Sequence, residues 1–169
     1  MNKNLVLTGM MGVGKSTIGR LLAKKLKVKF IDVDKVIERN ERETIKKIFE
    51  TKGEIYFRKL EEKITMKILK RNKKVISLGG GAFINDKIRE EVLKTCSSVW
   101  LKTSLQQLIK RYKKNNRRPL LEKSKLETDV KKIYQSRKNI YGLANYKVNC
   151  VNMNKFKIVQ KILKLYENK

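Results

Sequence analysis

At 169 residues, 40% of them hydrophobic and only one a proline, the chain can bury a proper core and is too apolar for disorder. Its 43 Lys and Arg against 16 Asp and Glu give a net charge of +27, which favours anionic ligands. The lysines run along the whole length instead of forming a dense arm, and no apolar run nears the ~20 residues that span a bilayer. The composition therefore leads us to expect no specific nucleic-acid partner and no membrane partner. The N-terminal apolar stretch runs straight into a Gly-rich loop, so no targeting segment is read there and a cytoplasmic protein is expected. Cys96 and Cys150 are the two cysteines, not spaced for a metal, and are expected as buried free thiols.

In chain order, residues 4–8 (NLVLT) form a short apolar strand that ends at Gly9. GMMGVGKS, residues 9–16, follows and fits G-x-x-x-x-G-K-S/T with the context that motif needs, a strand before and a helix after. Glycines let successive amides curl around phosphate oxygens, and the helix N-terminus adds favourable partial charge. Lys15 would reach the β- and γ-phosphates, and the Ser16 hydroxyl would ligate Mg²⁺. In the helix that follows, Ile18, Leu21, Leu22 and Leu26 share one face.

Residues 28–31 read as a second strand, followed at once by Asp32 and Asp34, half of the four aspartates in a strongly basic chain. Ligands of parallel sheets bind beyond the carboxyl ends of the strands. Side chains alternate along an extended exit, so the two carboxylates can point to one side, one toward a metal and the other toward a substrate hydroxyl. A helix N-cap accounts for Asp34 as well, and both readings stand at this point. From 33 to 69 the pattern is helical in pieces broken at Gly53, with Arg58 and Glu61 spaced so that a carboxylate can orient a guanidinium. An oriented arginine is a natural fork for a ligand carboxylate.

A third strand at 75–78 is cut off by Gly79-Gly80-Gly81, which points to a close approach of backbone to a ligand. A helix near 85–94 leads to a fourth strand at 98–101, where Trp100 is read as core. A helix near 104–112 precedes the long hydrophilic stretch 112–125, the candidate for a lid. Then come a helix at 126–141, a fifth strand at 147–151 and a closing helix at 155–166. Strands alternating with helices predict one α/β domain over 1–169: three α/β/α layers around a five-stranded parallel sheet. Residues 33–62 would form its substrate-binding region.

GMMGVGKS, IDVDKVIE, GEIYFRKLE, SLGGG, RYKKNNRRPLL and YQSRKNIY, in this order and spacing, closely resemble the shikimate kinases over nearly the whole chain. The resemblance implies a P-loop kinase of the nucleoside-monophosphate-kinase type. Its activity would be ATP-dependent phosphorylation of the shikimate 3-hydroxyl, in the pathway to chorismate and the aromatic amino acids. Gly12, Val13, Gly14, Lys15, Ser16 and Thr17 would contact ATP. Asp32 would assist Mg²⁺ through water, with Ser77 nearby in place of the usual acid at the end of the third strand. Asp34 would engage the attacking hydroxyl as base. Arg58, Arg137 and the backbone of Gly80 and Gly81 would grip shikimate. Arg118 (or Arg117 beside it) would close over the phosphates from the lid, and Arg111 would lie against adenine. The protein would act as a monomer on ATP and shikimate. Other small-metabolite kinases, for gluconate or nucleotides, share such a build, and Arg58, Arg137 and GGG favour a compact substrate bearing a carboxylate.

Overall fold

The computed structural model describes residues 3–71, 73–114 and 126–167. The chain folds as β1 (Leu5–Thr8), α1 (Lys15–Leu26), β2 (Lys29–Asp32), α2 (Val33–Glu41), α3 (Ile45–Leu69) and β3 (Lys74–Ser77). It continues as α4 (Asp86–Thr95), β4 (Ser97–Lys102), α5 (Leu105–Lys114), α6 (Leu126–Tyr141), β5 (Tyr146–Asn149) and α7 (Lys155–Glu167). All five strands pair in parallel, in the order β2-β3-β1-β4-β5.

This order sets where a ligand can sit. From β1 the chain steps out to the edge at β2, returns to β3, and then crosses past β1 to β4. Parallel crossovers are right-handed, so the reversal of direction puts α1 on one face of the sheet and α3 and α4 on the other. In keeping with this, α1 packs with α7, whereas α3 packs with α4. The crevice between β1 and its two neighbours opens at their carboxyl ends, the usual ligand position in such sheets.

Both faces of the central strands are covered. Leu5, Val6, Leu7, Val75, Ile76, Val99 and Leu101 are fully buried, which is why these strands read as continuous apolar runs instead of alternating ones. The edge strands carry Lys29 and Lys147, both exposed, which blunt edge-to-edge pairing. Trp100 is core, as expected, and Cys96 and Cys150 are buried free thiols. The expected break in the third helical segment is real: Gly53 adopts φ 79° and ψ 170°, a conformation open in practice only to glycine. Among the described residues, no helix is long and apolar enough to cross a membrane.

A single buried side chain locks the start of the sheet. Asn4, fully buried, donates through Nδ2 to the Leu69 carbonyl at 3.2 Å and accepts at Oδ1 from the Lys74 amide at 3.1 Å. It joins the end of α3 to the first residue of β3 across the mouth of β1. Asn4→Ala leaves both backbone groups unpaired, and we expect a loss of roughly 1–3 kcal/mol. The test is a lower urea midpoint at an unaltered m value.

Candidate active site

The loop between β1 and α1 bends through three glycines in left-handed backbone, Gly9, Gly12 and Gly14. Lys15 is the first residue of α1, and its buried Nζ curls back to donate to the carbonyls of Gly9 (2.8 Å) and Met10 (3.0 Å). Helix α5 braces the loop from outside. Arg111 Nη1 donates to the carbonyls of Gly12 (3.3 Å) and Val13 (3.0 Å), and the Tyr112 hydroxyl donates to the Met11 carbonyl. In a trans peptide the following amide points opposite to the carbonyl, so these contacts turn loop amides away from α5. That is the requirement for a phosphate cradle. Arg111, expected against adenine, reaches the loop carbonyls here.

The two aspartates do not share an extended exit, which corrects the alternation expected from the sequence. Asp32 is the last residue of β2 and the N-cap of α2, its Oδ1 accepting from the Lys35 amide at 3.4 Å. Asp34 already lies in the first helical turn, where residues two apart diverge around the axis. The capping role considered for Asp34 therefore belongs to Asp32, and Asp34 is free to face a cavity. Asp32 lies in register with the buried Ser77 at the ends of β2 and β3.

That cavity, of about 360 Å³, is walled by Asp34, Glu54, Arg58, Glu61, Gly80, Gly81 and Arg137, with Met11 of the phosphate loop and the apolar Ile45, Phe49, Phe57 and Ile133. Its volume suits a small metabolite. The glycines at 79–81 are explained by their neighbours rather than by their backbone angles, which are not left-handed. A Cβ at Gly79 would lie 2.5 Å from Glu61 Oε1 and 2.6 Å from Asp34 Oδ1. One at Gly80 would meet the Met11 amide nitrogen at 3.1 Å, and one at Gly81 would meet Arg58 Nη1 at 2.5 Å. Beside the close approach of a ligand expected from the sequence, the three glycines are crowded by Asp34, Glu61, Arg58 and the Met11 amide around the cavity.

The cations are held firmly. Arg58 Nη1 donates to Glu61 Oε2 at 2.7 Å, the expected pair one helical turn apart. Its Nε and Nη2 both donate to Glu54 Oε1, at 3.2 and 3.1 Å, and its guanidinium packs over the Phe57 and Phe49 rings. Arg137 Nη1 donates to the Gly80 carbonyl at 3.1 Å, and the fully buried Tyr141, one turn further along α6, donates its hydroxyl to the same oxygen. Sequence reasoning brought out Arg58, Glu61 and Arg137 but missed Glu54, Tyr112 and Tyr141. The spacing of Glu54 four residues before Arg58 was a usable signal, whereas the two tyrosine contacts join residues 61 or more positions apart and leave no local trace. Arg117 and Arg118 lie outside the described residues, as does most of the lid span 112–125.

Asp34 is half-buried and close to other acids. Burial pushes its carboxyl up to about 6, the nearby Lys15 charge pulls it down, and Asp32, Glu61 and Glu38 add to the rise. Burial likewise raises Glu61 against the pull of Arg58. At neutral pH Asp34 is therefore an ionised carboxylate with unusual appetite for a proton. The cavity thus brings a carboxylate, two guanidiniums and a residue of the phosphate loop into one wall.

A strand-loop-helix phosphate cradle opening on such a cavity defines a P-loop kinase that phosphorylates a small metabolite. A family model described as shikimate kinase matches residues 11–167. Proteins named shikimate kinase from Sulfurihydrogenibium sp. and Persephonella marina are 44% and 38% identical, each over 95% of this chain and 96% and 97% of their own length. A solved structure of shikimate kinase from Acinetobacter baumannii in complex with shikimate superposes with a TM-score of 0.94 at 32% identity, covering 99% of this chain and 94% of its own. A gluconokinase from Sinorhizobium meliloti shares the fold alone, with a TM-score of 0.61 at 18% identity. This chain belongs to the shikimate kinase family.

The raised carboxyl has a cost in stability whose sign is definite. Between 3.8 and about 6 the folded chain keeps on Asp34 a proton that the unfolded chain has released, so native stability falls as pH rises through that window. Above about 6 the loss is complete, and the interval corresponds to about 3 kcal/mol. Asp34→Asn, which cannot ionise, should unfold at a higher temperature than the parent at pH 7 and lose that advantage below pH 4. Thermal unfolding of both chains across pH reads this directly.

Proposed function

We propose that this protein transfers the γ-phosphoryl group of ATP to the 3-hydroxyl of shikimate, giving shikimate 3-phosphate and ADP. The observation that carries this reading is the convergence of Asp34, Arg58 and Arg137 on one cavity whose wall includes the phosphate loop. Arg58 and Arg137 suit the carboxylate of shikimate, and the amides around Gly80 and Gly81 suit its ring hydroxyls. Asp34 aligns the 3-hydroxyl and accepts its proton as the oxygen attacks the γ-phosphorus. The bond from that phosphorus to the β–γ bridging oxygen breaks, and ADP leaves.

Phosphoryl transfer needs positioning and charge neutralisation more than covalent chemistry. Lys15 leaves the carbonyls of Gly9 and Met10 for the β- and γ-phosphates, and Gly12, Val13, Gly14 and Thr17 contact the nucleotide along the loop and the first turn of α1. Arg118, outside the described residues, would add its charge at the phosphates, and Arg111 serves the adenine side while bracing the loop. Ser16 would hold Mg²⁺ directly and Asp32 through water. The donors there are hydroxyl and carboxylate oxygens, beside the buried Ser77. Among the described residues no three His, Cys, Asp or Glu side chains converge to cage an ion. Both facts fit a hard cation that keeps its waters and shares the nucleotide's phosphates. The bound ion would neutralise the β- and γ-phosphate oxygens.

Release of ADP on addition of shikimate, against gluconate and nucleoside monophosphates, tests the assignment. Turnover confined to shikimate is expected, and well-folded protein without it would overturn the reading. Because Asp34 must be ionised to act, kcat/KM for shikimate should fall tenfold per pH unit below about 6. A flat profile through that range would remove the base role. Arg58→Lys replaces a planar fork with a point charge, and the Michaelis constant for shikimate should rise roughly 10–100-fold. Initial rates at saturating ATP report it.

A further inference from the structure

The cavity holds more negative charge than an anionic substrate would want. Three carboxylates (Asp34, Glu54, Glu61) face it against two guanidiniums, Arg58 and Arg137. Two of the three are accounted for. Asp34 is the proposed base, and Glu61, only 2% exposed, is fixed on Arg58 Nη1. Glu54 is different. Its side chain is 64% exposed, and its single oxygen closes the Nε–Nη2 edge of Arg58, the side-on fork on which arginine receives a carboxylate.

We propose that Glu54 is a built-in stand-in for the substrate carboxylate. It occupies one complete fork of Arg58 while the cavity is empty, and it swings to solvent when the ligand carboxylate arrives. This inference rests on the assignment of shikimate as the substrate.

The physical case has three parts. A guanidinium pressed on the Phe49 and Phe57 rings and two-thirds removed from water needs its donors paired, and Glu54 pairs Nε and Nη2. The partner must leave easily, and an exposed acid four residues away on a helix makes a weak pair with water available on its other side. The charge count at the cavity wall also favours its leaving. With Glu54 in place, a bound carboxylate is the fourth negative group beside two guanidiniums. With Glu54 turned outward, the ligand merely replaces it. Glu54 thus sets the affinity for the carboxylate by competition, while it keeps Arg58 extended and ready.

The sign of the effect separates this role from a supporting one. Calorimetric titration of Glu54→Gln with shikimate should give about two- to fivefold tighter binding than the parent chain, since that is what an exposed ion pair is worth. The uncharged carboxamide of shikimate, which does not compete for the fork in the same way, should bind both chains alike. Unchanged or weaker shikimate binding by Glu54→Gln would overturn the proposal and make Glu54 a support for Arg58. An equal gain for the carboxamide would overturn it too, as a general loosening of the cavity. A parent chain that binds no shikimate would instead defeat the substrate assignment beneath it.

Discussion

The hydrogen bond from the Leu78 amide to the Leu7 carbonyl, at 3.1 Å, is the contact on which the site depends. It carries the β1–β3 ladder past the last paired residues, Leu7 and Ser77, and so delivers two loops side by side. One is the phosphate loop and the other is GGG. At the junction a methyl group on Gly80 would lie 3.1 Å from the Met11 amide nitrogen, a tight contact. Sheet register brings the phosphate loop and GGG together, and α5 and α6 then hold each loop from outside.

Electrostatics in this region runs against the character of the chain. The net charge is +27, yet the cavity is walled by three acids and two arginines. Two of the acids, Glu54 and Glu61, pair with Arg58, and in the function proposed here the third, Asp34, accepts a proton; lysine could do none of this. Burying Asp34 among like charges weakens the fold at neutral pH, and this strain is concentrated where the chemistry happens. The sheet core, sealed on both faces by aliphatic side chains, offsets it.

Much of the fold was legible because its signals are local. The phosphate loop announces its flanking strand and helix, the apolar runs mark buried parallel strands, and Gly53 marks the break in α3. Arg58 with Glu61 was legible for the same reason, being one turn apart on a helix. Asp32 and Asp34 were found, but their geometry was not. A strand exit and a helix start can hold the same two residues, and the choice depends on α2 beginning at Val33, one residue sooner than alternation allows. GGG was flagged for a good reason, although its crowding comes from Asp34, Glu61, Arg58 and Met11, which only the folded sheet brings near. Tyr112 and Tyr141 could not have been read at all, because each bonds a backbone carbonyl across the molecule, and carbonyls have no letter in a sequence.

One placement has a practical side. Trp100 is the only tryptophan in the chain. It lies against the phosphate loop, where its Cδ1 is 3.2 Å from the point a Cβ on Gly9 would occupy. Its ring is 6.1 Å from that of Tyr141, which bonds Gly80 of the GGG loop, and the ammonium groups of Lys102 and Lys147 sit over the indole. The lone indole therefore lies against the phosphate loop and beside the tyrosine that bonds Gly80. Its emission comes from that one position, free of background from any other tryptophan and needing no attached dye.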